Sequence, residues 1–139
     1  MNNKIIVFTN GCFDILHLGH IEYLAEAKSL GNYLIVGINS DASVRALKGE
    51  GRPINNQEYR QKMLLALKSV DQVEIFNEPT PINLIKKINP NFLVKGGDWP
   101  IETIVGHEFV IANGGTVKSL IFKEGFSTTN LISKLQGKK

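Results

Sequence analysis

Two histidines, His17 and His20, have the side-chain type and the spacing to share one ligand. Three positions separate them, so they lie on neighbouring faces of a helical first turn. Gly19 lies between them and has no Cβ, which lets a phosphate approach the backbone closely. An apolar run precedes the turn, and a strand, a turn and a helix start together point backbone N–H groups at an anion. The stretch predicts a triphosphate-binding turn in which imidazoles replace a lysine.

Zinc is the alternative ligand for this histidine pair, because histidines at i and i+3 can share a metal ion. The only other histidine is His107, and there is no pair of cysteines to complete such a site. The pattern therefore favours phosphate, and we expect no metal held by protein side chains. Neither a G-x-x-x-x-G-K-[ST] segment nor a full G-x-G-x-x-G segment follows the first strand, which excludes a P-loop and a dinucleotide fingerprint.

Strands and helices alternate along the chain. We predict strands over 4–8, 33–39 and 72–76, one from 91 into the glycine pair at 96–97, and one over 116–122. We predict helices over 18–30, 41–47, 57–69, 80–88, 101–113 and 128–136. The pattern is typical of a Rossmann-like α/β fold, a doubly wound five-stranded parallel sheet with helices on both faces. We expect residues 1–139 to form a single domain.

Two of these helices have a clear apolar stripe. The residues expected to face the core are Ile21, Leu24, Ala25 and Leu30 in the first helix, and Met63, Leu64, Leu67 and Val70 in or just after the third. Ligands of a doubly wound sheet bind beyond the carboxyl ends of its strands. Four polar clusters fall at such ends, over 9–20, 39–60, 95–99 and 123–130. The sequence therefore predicts one site at this edge, with both histidines facing a solvent-filled cleft.

Charged and aromatic side chains supply the other candidates. Lys48 and Arg60 lie on or beside a glycine-containing loop and are predicted to contact phosphate, although a surface cation is normally just solvated. Asp14 and Asp98 follow glycines at two strand ends and could either bind a substrate or orient a loop. Trp99 could stack on a substrate or simply cover the core. Hydroxyl residues opening the last helix suggest a second anion-binding helix N-terminus.

Composition limits the classes of partner. Apolar residues make up 42% and charged residues 21% of 139 residues, as in a globular protein. The net charge of +3 is scattered rather than gathered into a basic block, so we expect no nucleic-acid partner. Apolar runs are too short to span a membrane. A single cysteine, Cys12, and no signal peptide predict a reducing cytoplasm, with Cys12 packed in the interior.

The segments GCFDILHLGH and EGFSTTNLI together resemble the nucleotidyltransferase superfamily of the HxGH type, which includes the cytidylyltransferases and pantetheine-phosphate adenylyltransferase. The resemblance covers essentially the whole chain. TNGCFDILHLGH, INSDASVRALKGEGRPIN and VKGGDW are, more narrowly, similar to the adenylyltransferase domain of ADP-heptose synthesis. That resemblance implies transfer of AMP from ATP to a heptose 1-phosphate, with release of pyrophosphate and no covalent enzyme intermediate.

The resemblance also implies roles for particular residues. It assigns His17, His20 and Lys48 to catalysis, as groups that neutralise charge on the transferring phosphates. It assigns the nucleotide to Asn10, Gly11, Cys12, Phe13, Gly19, Arg60, Gly125, Ser127, Thr128 and Thr129. It assigns the sugar phosphate to Asp14, Asp41, Gly96, Asp98 and Trp99. Mg²⁺ bound to ATP, a homodimer and cooperation with a separate heptose-phosphate kinase are further expectations.

Two other functions remain open. Glycerol-3-phosphate cytidylyltransferases share the HxGH segment and a terminal RTEGISTT, where this chain has FKEGFSTT. Phe122 stands where that family carries arginine, which favours the heptose reaction over the CTP reaction. A nucleotide-binding domain that has lost turnover is the non-enzymatic alternative, and the intact His17 and His20 argue against it.

Overall fold

In the computed structural model, which describes residues 3–121, five strands form one parallel sheet. The strands are β1 (Ile6–Gly11), β2 (Tyr33–Asn39), β3 (Gln72–Phe76), β4 (Phe92–Gly96) and β5 (Thr116–Leu120). Their order across the sheet is β3-β2-β1-β4-β5, and every pairing is parallel. The chain reverses direction across the sheet between β1 and β4, so ligands are expected at the carboxyl ends of these two strands. The predicted fold class is confirmed.

Helices connect the strands on both faces of the sheet. They are α1 (Leu18–Ser29), α2 (Asp41–Lys48), α3 (Gln57–Leu65), α4 (Ile82–Ile88) and α5 (His107–Ala112), with a 3₁₀ turn at Ile101–Thr103. Helices α1 and α3 contribute to one apolar cluster, which contains Leu24 and Leu64. Helices α4 and α5 contribute to the other, which contains Ile85 and Val110. We call the two sides of the sheet the α1 face and the α4–α5 face.

Side-chain polarity and capping explain most of the helix boundaries. The Ser40 side chain accepts a hydrogen bond from the Ser43 N–H, and the Asn56 side chain accepts one from the Tyr59 N–H, so both act as N-caps. The helix predicted over 101–113 is wrong, because Gly106 has φ +94° and separates the 3₁₀ turn from α5. The third helix ends at Leu65 rather than at 69. The last predicted helix lies outside the described residues.

The inward stripes are only partly as predicted. In α1 the buried apolar side chains are Tyr23, Leu24 and Ala27, whereas Ile21 and Ala25 are exposed. Leu30 packs against the core just after the helix. In the third helix, the prediction that Met63 faces the core is wrong, because its side chain is 42% exposed. Leu64 and Val70 are buried as predicted. In α1 the first turn presents Gly19 and His20, rather than aliphatic residues, to the interior.

Candidate active site

The two histidines lie in direct contact where β1 gives way to α1. His17 is the N-cap residue of α1 and His20 is the third residue of its first turn. Their rings stack with centroids 3.9 Å apart and an angle of 19° between the planes. The His17 backbone N–H donates a hydrogen bond of 3.4 Å to His20 Nδ1, which fixes the orientation of the second ring. Both imidazoles are therefore arranged to act on one ligand.

Burial makes this pair neutral at physiological pH in the protein alone. Burial, and secondarily the neighbouring His17, lower the pKa of His20 to about 4. The pKa of His17 is also lowered, by burial. The solvent-filled cleft expected for both side chains is wrong for His20, which is only 9% exposed. A polyphosphate placed beside these rings would favour protonation, so ligand binding and proton binding are expected to be coupled.

The Phe13 ring packs against the His20 ring. The Phe13 backbone is left-handed, with φ +48°, and the buried ring meets His20 edge-on at a centroid distance of 5.1 Å. Gly11 permits this packing, because a Cβ there would lie 3.0 Å from the Phe13 ring. Thr9 Oγ1 and Tyr23 Oη form a buried hydrogen bond of 2.6 Å that ties α1 to β1. The histidine pair is thus held on rigid elements.

A cavity of about 170 Å³ opens beside His20 at the carboxyl ends of β1 and β4. It brings together many of the predicted residues, and its lining consists of Asn10, Gly11, Cys12, Phe13, His20, Tyr23, Lys95 and Gly96. Lys95 was not among the predicted site residues. A lysine near the carboxyl end of an otherwise apolar strand at the chain-reversal point was the sequence signal that could have identified it.

Arg60 is a buried scaffold residue, and the prediction that it contacts phosphate is corrected. It is 1% exposed, and its guanidinium donates to the backbone carbonyls of Cys12, Asn39 and Asn55 at 2.8–2.9 Å. It also donates to Asp41 Oδ1 at 2.8 Å. These bonds occupy most of its donors with protein oxygens. Arg60 therefore joins the ends of β1 and β2 to the loop at 49–56.

Asp14 has a similar structural role, which is one of the two roles open from the sequence. Its buried carboxylate accepts hydrogen bonds from the backbone N–H groups of Ile54 and Asn55, each at 2.8 Å. It also accepts one from Arg52 Nε at 3.1 Å. The assignment of Asp14 to direct substrate binding is therefore corrected. Asp41, the partner of Arg60, keeps 32% of its side chain exposed.

Lys48 lies at the exposed end of α2, near the turn that follows β1. Burial raises the pKa of the Cys12 thiol, while the positive charges of Lys48, Arg60 and Arg52, in that order, act to lower it. Lys48 thus exerts the largest charge effect on a residue that lines the cavity. The assignment of Lys48 to the transferring phosphates stays a prediction. Cys12 itself is half-buried.

The GGDW turn begins at Gly96, which ends β4 and lines the cavity. Trp99 donates from Nε1 to the Gly96 carbonyl at 3.0 Å and from its backbone N–H to Ser119 Oγ at 3.2 Å. Gly97 has φ +118°, and a Cβ there would lie 2.5 Å from the indole, so the turn needs glycine. Trp99 is 48% exposed and does not cover the core. Asp98 is exposed beside it.

Part of the predicted site lies outside the described residues. This applies to Gly125, Ser127, Thr128 and Thr129, and to Phe122, on which the choice between ATP and CTP depends. Over residues 3–121, no group of three or more His, Cys, Asp or Glu side chains could hold a metal ion. The same described part of the chain has no helix long and apolar enough to cross a membrane.

Known proteins resemble this chain over nearly its whole length. A model of the cytidylyltransferase-like family matches residues 8–134. The bifunctional protein HldE of Marinomonas sp. (strain MWYL1) is 57% identical over 134 residues, which are 96% of this chain and 28% of that protein. The bifunctional protein HldE of Campylobacter jejuni subsp. jejuni serotype O:2 is 54% identical over 138 residues, 99% of this chain and 29% of that protein. The chain therefore spans under a third of the length of these relatives.

A solved structure is also similar. The crystal structure of the lipopolysaccharide core biosynthesis protein from Thermoplasma volcanium GSS1 superposes with a TM-score of 0.67 and 31% sequence identity. The match covers 87% of this chain and 98% of that one. The sequence matches and the structural match thus each cover most of this chain.

Proposed function

Because the chain belongs to the cytidylyltransferase-like family, we propose that it transfers the AMP group of ATP to a heptose 1-phosphate. The products are an ADP-heptose and pyrophosphate. The observation that carries this proposal is the stacked pair of His17 and His20 at the start of α1, beside the cavity at the chain-reversal point. Identity of 52–57% to bifunctional HldE proteins over at least 95% of this chain supports the choice of substrate class.

The reaction needs positioning and charge neutralisation more than covalent chemistry. An oxygen of the sugar phosphate attacks the α-phosphorus of ATP, a new P–O bond forms, and the bond to the pyrophosphate breaks in line with it. His17 and His20 donate hydrogen bonds to the phosphates as charge develops on the leaving group. Lys48 adds a positive charge from the end of α2. No intermediate is bonded to the protein in this scheme.

The remaining residues are proposed either to bind one of the two substrates or to position residues that bind them. We assign the nucleotide to the backbone of the turn after β1, to the first turn of α1 and to the segment after β5, through Asn10, Gly11, Cys12, Phe13, Gly19, Gly125, Ser127, Thr128 and Thr129. We assign the sugar phosphate to Asp41, Gly96, Asp98 and Trp99. Arg60 and Asp14 are positioning residues, because their polar atoms are occupied by the loop and strand ends that they join.

A divalent ion, with Mg²⁺ as our choice, would enter with ATP. Nucleotidyltransferases typically use a divalent metal, and Mg²⁺ keeps several waters and binds phosphate oxygens readily. The Asp14 carboxylate is already occupied by protein donors. The groups that line the cavity are mainly imidazole, amide, thiol, phenol and ammonium. This donor set fits an ion carried on the phosphates, where it would neutralise their charge.

We further propose that residues 1–139 form one nucleotidyltransferase domain, in keeping with the match of the family model over 8–134. A homodimer and cooperation with a separate heptose-phosphate kinase complete the proposal. The kinase would supply the sugar 1-phosphate on which this chain acts. A cytoplasmic location suits a reaction that consumes ATP and a phosphorylated sugar.

A matrix of nucleoside triphosphates against phosphorylated sugars and polyols, followed by pyrophosphate release, tests the proposed function. We expect ATP with a heptose 1-phosphate to give the fastest release. CTP with glycerol 3-phosphate should be at least about tenfold slower, because Phe122 lacks the charge-assisted hydrogen bonds of an arginine. Release from CTP and glycerol 3-phosphate with none from any sugar 1-phosphate would replace the proposed reaction. Release from no pair would favour a non-catalytic nucleotide-binding domain.

A further inference from the structure

The strands at the site separate two sets of side chains. Successive residues of a strand point to opposite faces of the sheet. Val7 and Val94 belong to the apolar cluster on the α1 face. Phe8 and Leu93, which are directly paired between β1 and β4, belong to the cluster on the α4–α5 face. This alternation decides from which side a residue at the carboxyl ends can reach a ligand.

Lys95 belongs to the α4–α5 face by this alternation. Two residues on from the pair Phe8 and Leu93 lie Asn10 and Lys95, so both are neighbours on that face. Both also line the cavity beside His20. The Lys95 ammonium lies 5.0 Å from the centroid of the Trp99 ring, which holds it by a cation–π contact. A half-buried ammonium is thus held on the side of β4 that faces α4 and α5, beside the cavity that it shares with His20.

A larger cavity, of about 600 Å³, opens on the same face. It lies between α4 and the segment from the 3₁₀ turn to α5, and Ile104, which lines it, packs in the cluster of Phe8 and Leu93. Its polar lining includes Glu102, Thr103 and His107. Its volume falls in the range of small-molecule sites, and carboxylate, hydroxyl and imidazole groups suit the hydroxyls of a sugar.

We propose that the acceptor sugar phosphate enters from the α4–α5 face, where Lys95 binds its phosphate and the 600 Å³ cavity receives its polyhydroxylated part. The inference rests on the proposed nucleotidyl transfer. In-line displacement puts the attacking oxygen and the leaving pyrophosphate on opposite sides of the α-phosphorus. The histidine pair is assigned to the leaving phosphates, so an acceptor held by Lys95, which lines the same cavity as His20, can attack from the opposite side of the α-phosphorus.

Replacement of Lys95 by methionine tests the phosphate contact, because it removes the charge and keeps most of the length of the side chain. Lys95→Met should raise the KM for the acceptor at least about tenfold and change the KM for ATP less than about twofold. Lys87→Met is the matched control, since Lys87 is an exposed lysine of α4 that does not line the cavity. An unchanged acceptor KM in Lys95→Met, or a rise confined to ATP, would overturn the proposal.

Filling the larger cavity tests the sugar subsite. Val105 is 41% exposed and lines it, so Val105→Trp should occupy its space without disturbing the core. We expect a severalfold or larger rise in acceptor KM and weaker acceptor binding by calorimetry, with ATP binding unchanged. Ile111→Trp, at a 48% exposed position of α5 that does not line the cavity, is the control and should behave as the unaltered chain.

The assays separate this inference from the function on which it rests. The acceptor used is the one that gives the fastest pyrophosphate release with the unaltered chain. If no sugar phosphate supports release, the proposed function itself fails. If an acceptor is used well but Lys95→Met and Val105→Trp both bind it normally, the proposed reaction stands and the location of the acceptor on the α4–α5 face is wrong.

Discussion

The two halves of the carboxyl edge are built differently. At the ends of β1 and β2, charged side chains lie inside the protein, and Asp14 and Arg60 are each joined to several backbone groups. At the ends of β4 and β5, Asp98 and Trp99 are exposed, and Lys95 rests against an aromatic ring. In the first half, the charged side chains of Asp14 and Arg60 hold the loop at 49–56 in place. The second half leaves an ammonium and an indole where a substrate can reach them.

This difference shows that a charged residue near a glycine-containing loop does not necessarily bind a ligand. Arg60 and Lys48 have similar sequence surroundings, yet one is buried and the other exposed. Their removal should therefore have different consequences: loss of the buried cation should destabilise the fold, and loss of the exposed one should slow the reaction.

The largest expected effect is that of Arg60→Met on stability. The substitution leaves Asp41 and three carbonyl oxygens without their donor, and breaking a buried ion pair on one side costs about 3–5 kcal/mol. Urea unfolding measures this loss, with Arg45→Met, at an exposed position of α2, as the control. A decrease of less than about 1 kcal/mol in the free energy of unfolding would show that the Arg60 guanidinium does not hold the ends of β1 and β2 together.

Removal of either histidine should mainly affect turnover. His17→Ala and His20→Ala are each expected to lower kcat roughly 10²-fold or more, the scale for loss of one transition-state donor. His17→Ala should leave unfolding almost unchanged, whereas His20→Ala also leaves a space beside the buried Phe13 ring. For this reason His20→Asn accompanies it. Near-normal kcat in a folded variant would remove that histidine from the phosphate-binding pair.

Lys48→Ala should have a smaller effect, again on the reaction. We expect kcat/KM to fall about tenfold or more, as a positive charge near developing negative charge is lost. Lys48→Arg should restore it only in part, because a planar guanidinium replaces a compact ammonium poorly. Lys62→Ala, at another exposed helix end, serves as the control. Equal kcat/KM in Lys48→Ala and the control would assign Lys48 to the solvated surface.

The smallest effect concerns protons. The pKa of His20 is about 4 in the folded protein and 6.5 in the unfolded chain. Between pH 4 and pH 6.5 the unfolded chain therefore binds more protons than the folded protein. The contribution of His20 to stability is therefore complete above pH 6.5 and is lost as the pH falls towards 4. Bound ATP should raise this pKa, because negative phosphates beside the ring favour its protonated form.

Calorimetry in buffers of different ionisation enthalpy measures the resulting proton uptake. At a pH near 5.5 we expect ATP binding to take up roughly half to one proton. His20→Asn should remove most of this uptake. Equal uptake in the variant and the unaltered chain would place the titrating group elsewhere.

The sequence patterns predicted the strands of the sheet more accurately than they predicted the surroundings of the polar side chains. The bounds of β2 and β3 agree with prediction, because short apolar runs between turn residues fix both ends. β1 begins and ends later than predicted, since Thr9, Asn10 and Gly11 continue the pairing with β2 despite their polarity. The predicted 101–113 helix failed at Gly106, whose positive φ no periodicity reveals.

The roles of single charges depended on contacts that are distant in sequence. Arg60 donates to Cys12, 48 residues away, and Asp14 accepts from Asn55, 41 residues away. Nothing local distinguishes such a residue from a phosphate ligand. The contact between the His17 and His20 rings was predictable, because both residues and the start of their helix are contiguous in sequence. Lys95 was not predicted, because its position at the cavity depends on strand pairing and on its contact with the Trp99 ring.

A direct competition measures the central claim, that this chain adenylylates a heptose 1-phosphate. ATP and CTP are mixed in equal concentration with heptose 1-phosphate and glycerol 3-phosphate, and the products are identified by mass as the reaction begins. The ratio of products then reports which pair of donor and acceptor the chain prefers when all four substrates compete. We predict ADP-heptose in at least about tenfold excess over CDP-glycerol, as expected from the loss of charge-assisted bonds at Phe122. Predominant CDP-glycerol, with no ADP-heptose, would contradict the account.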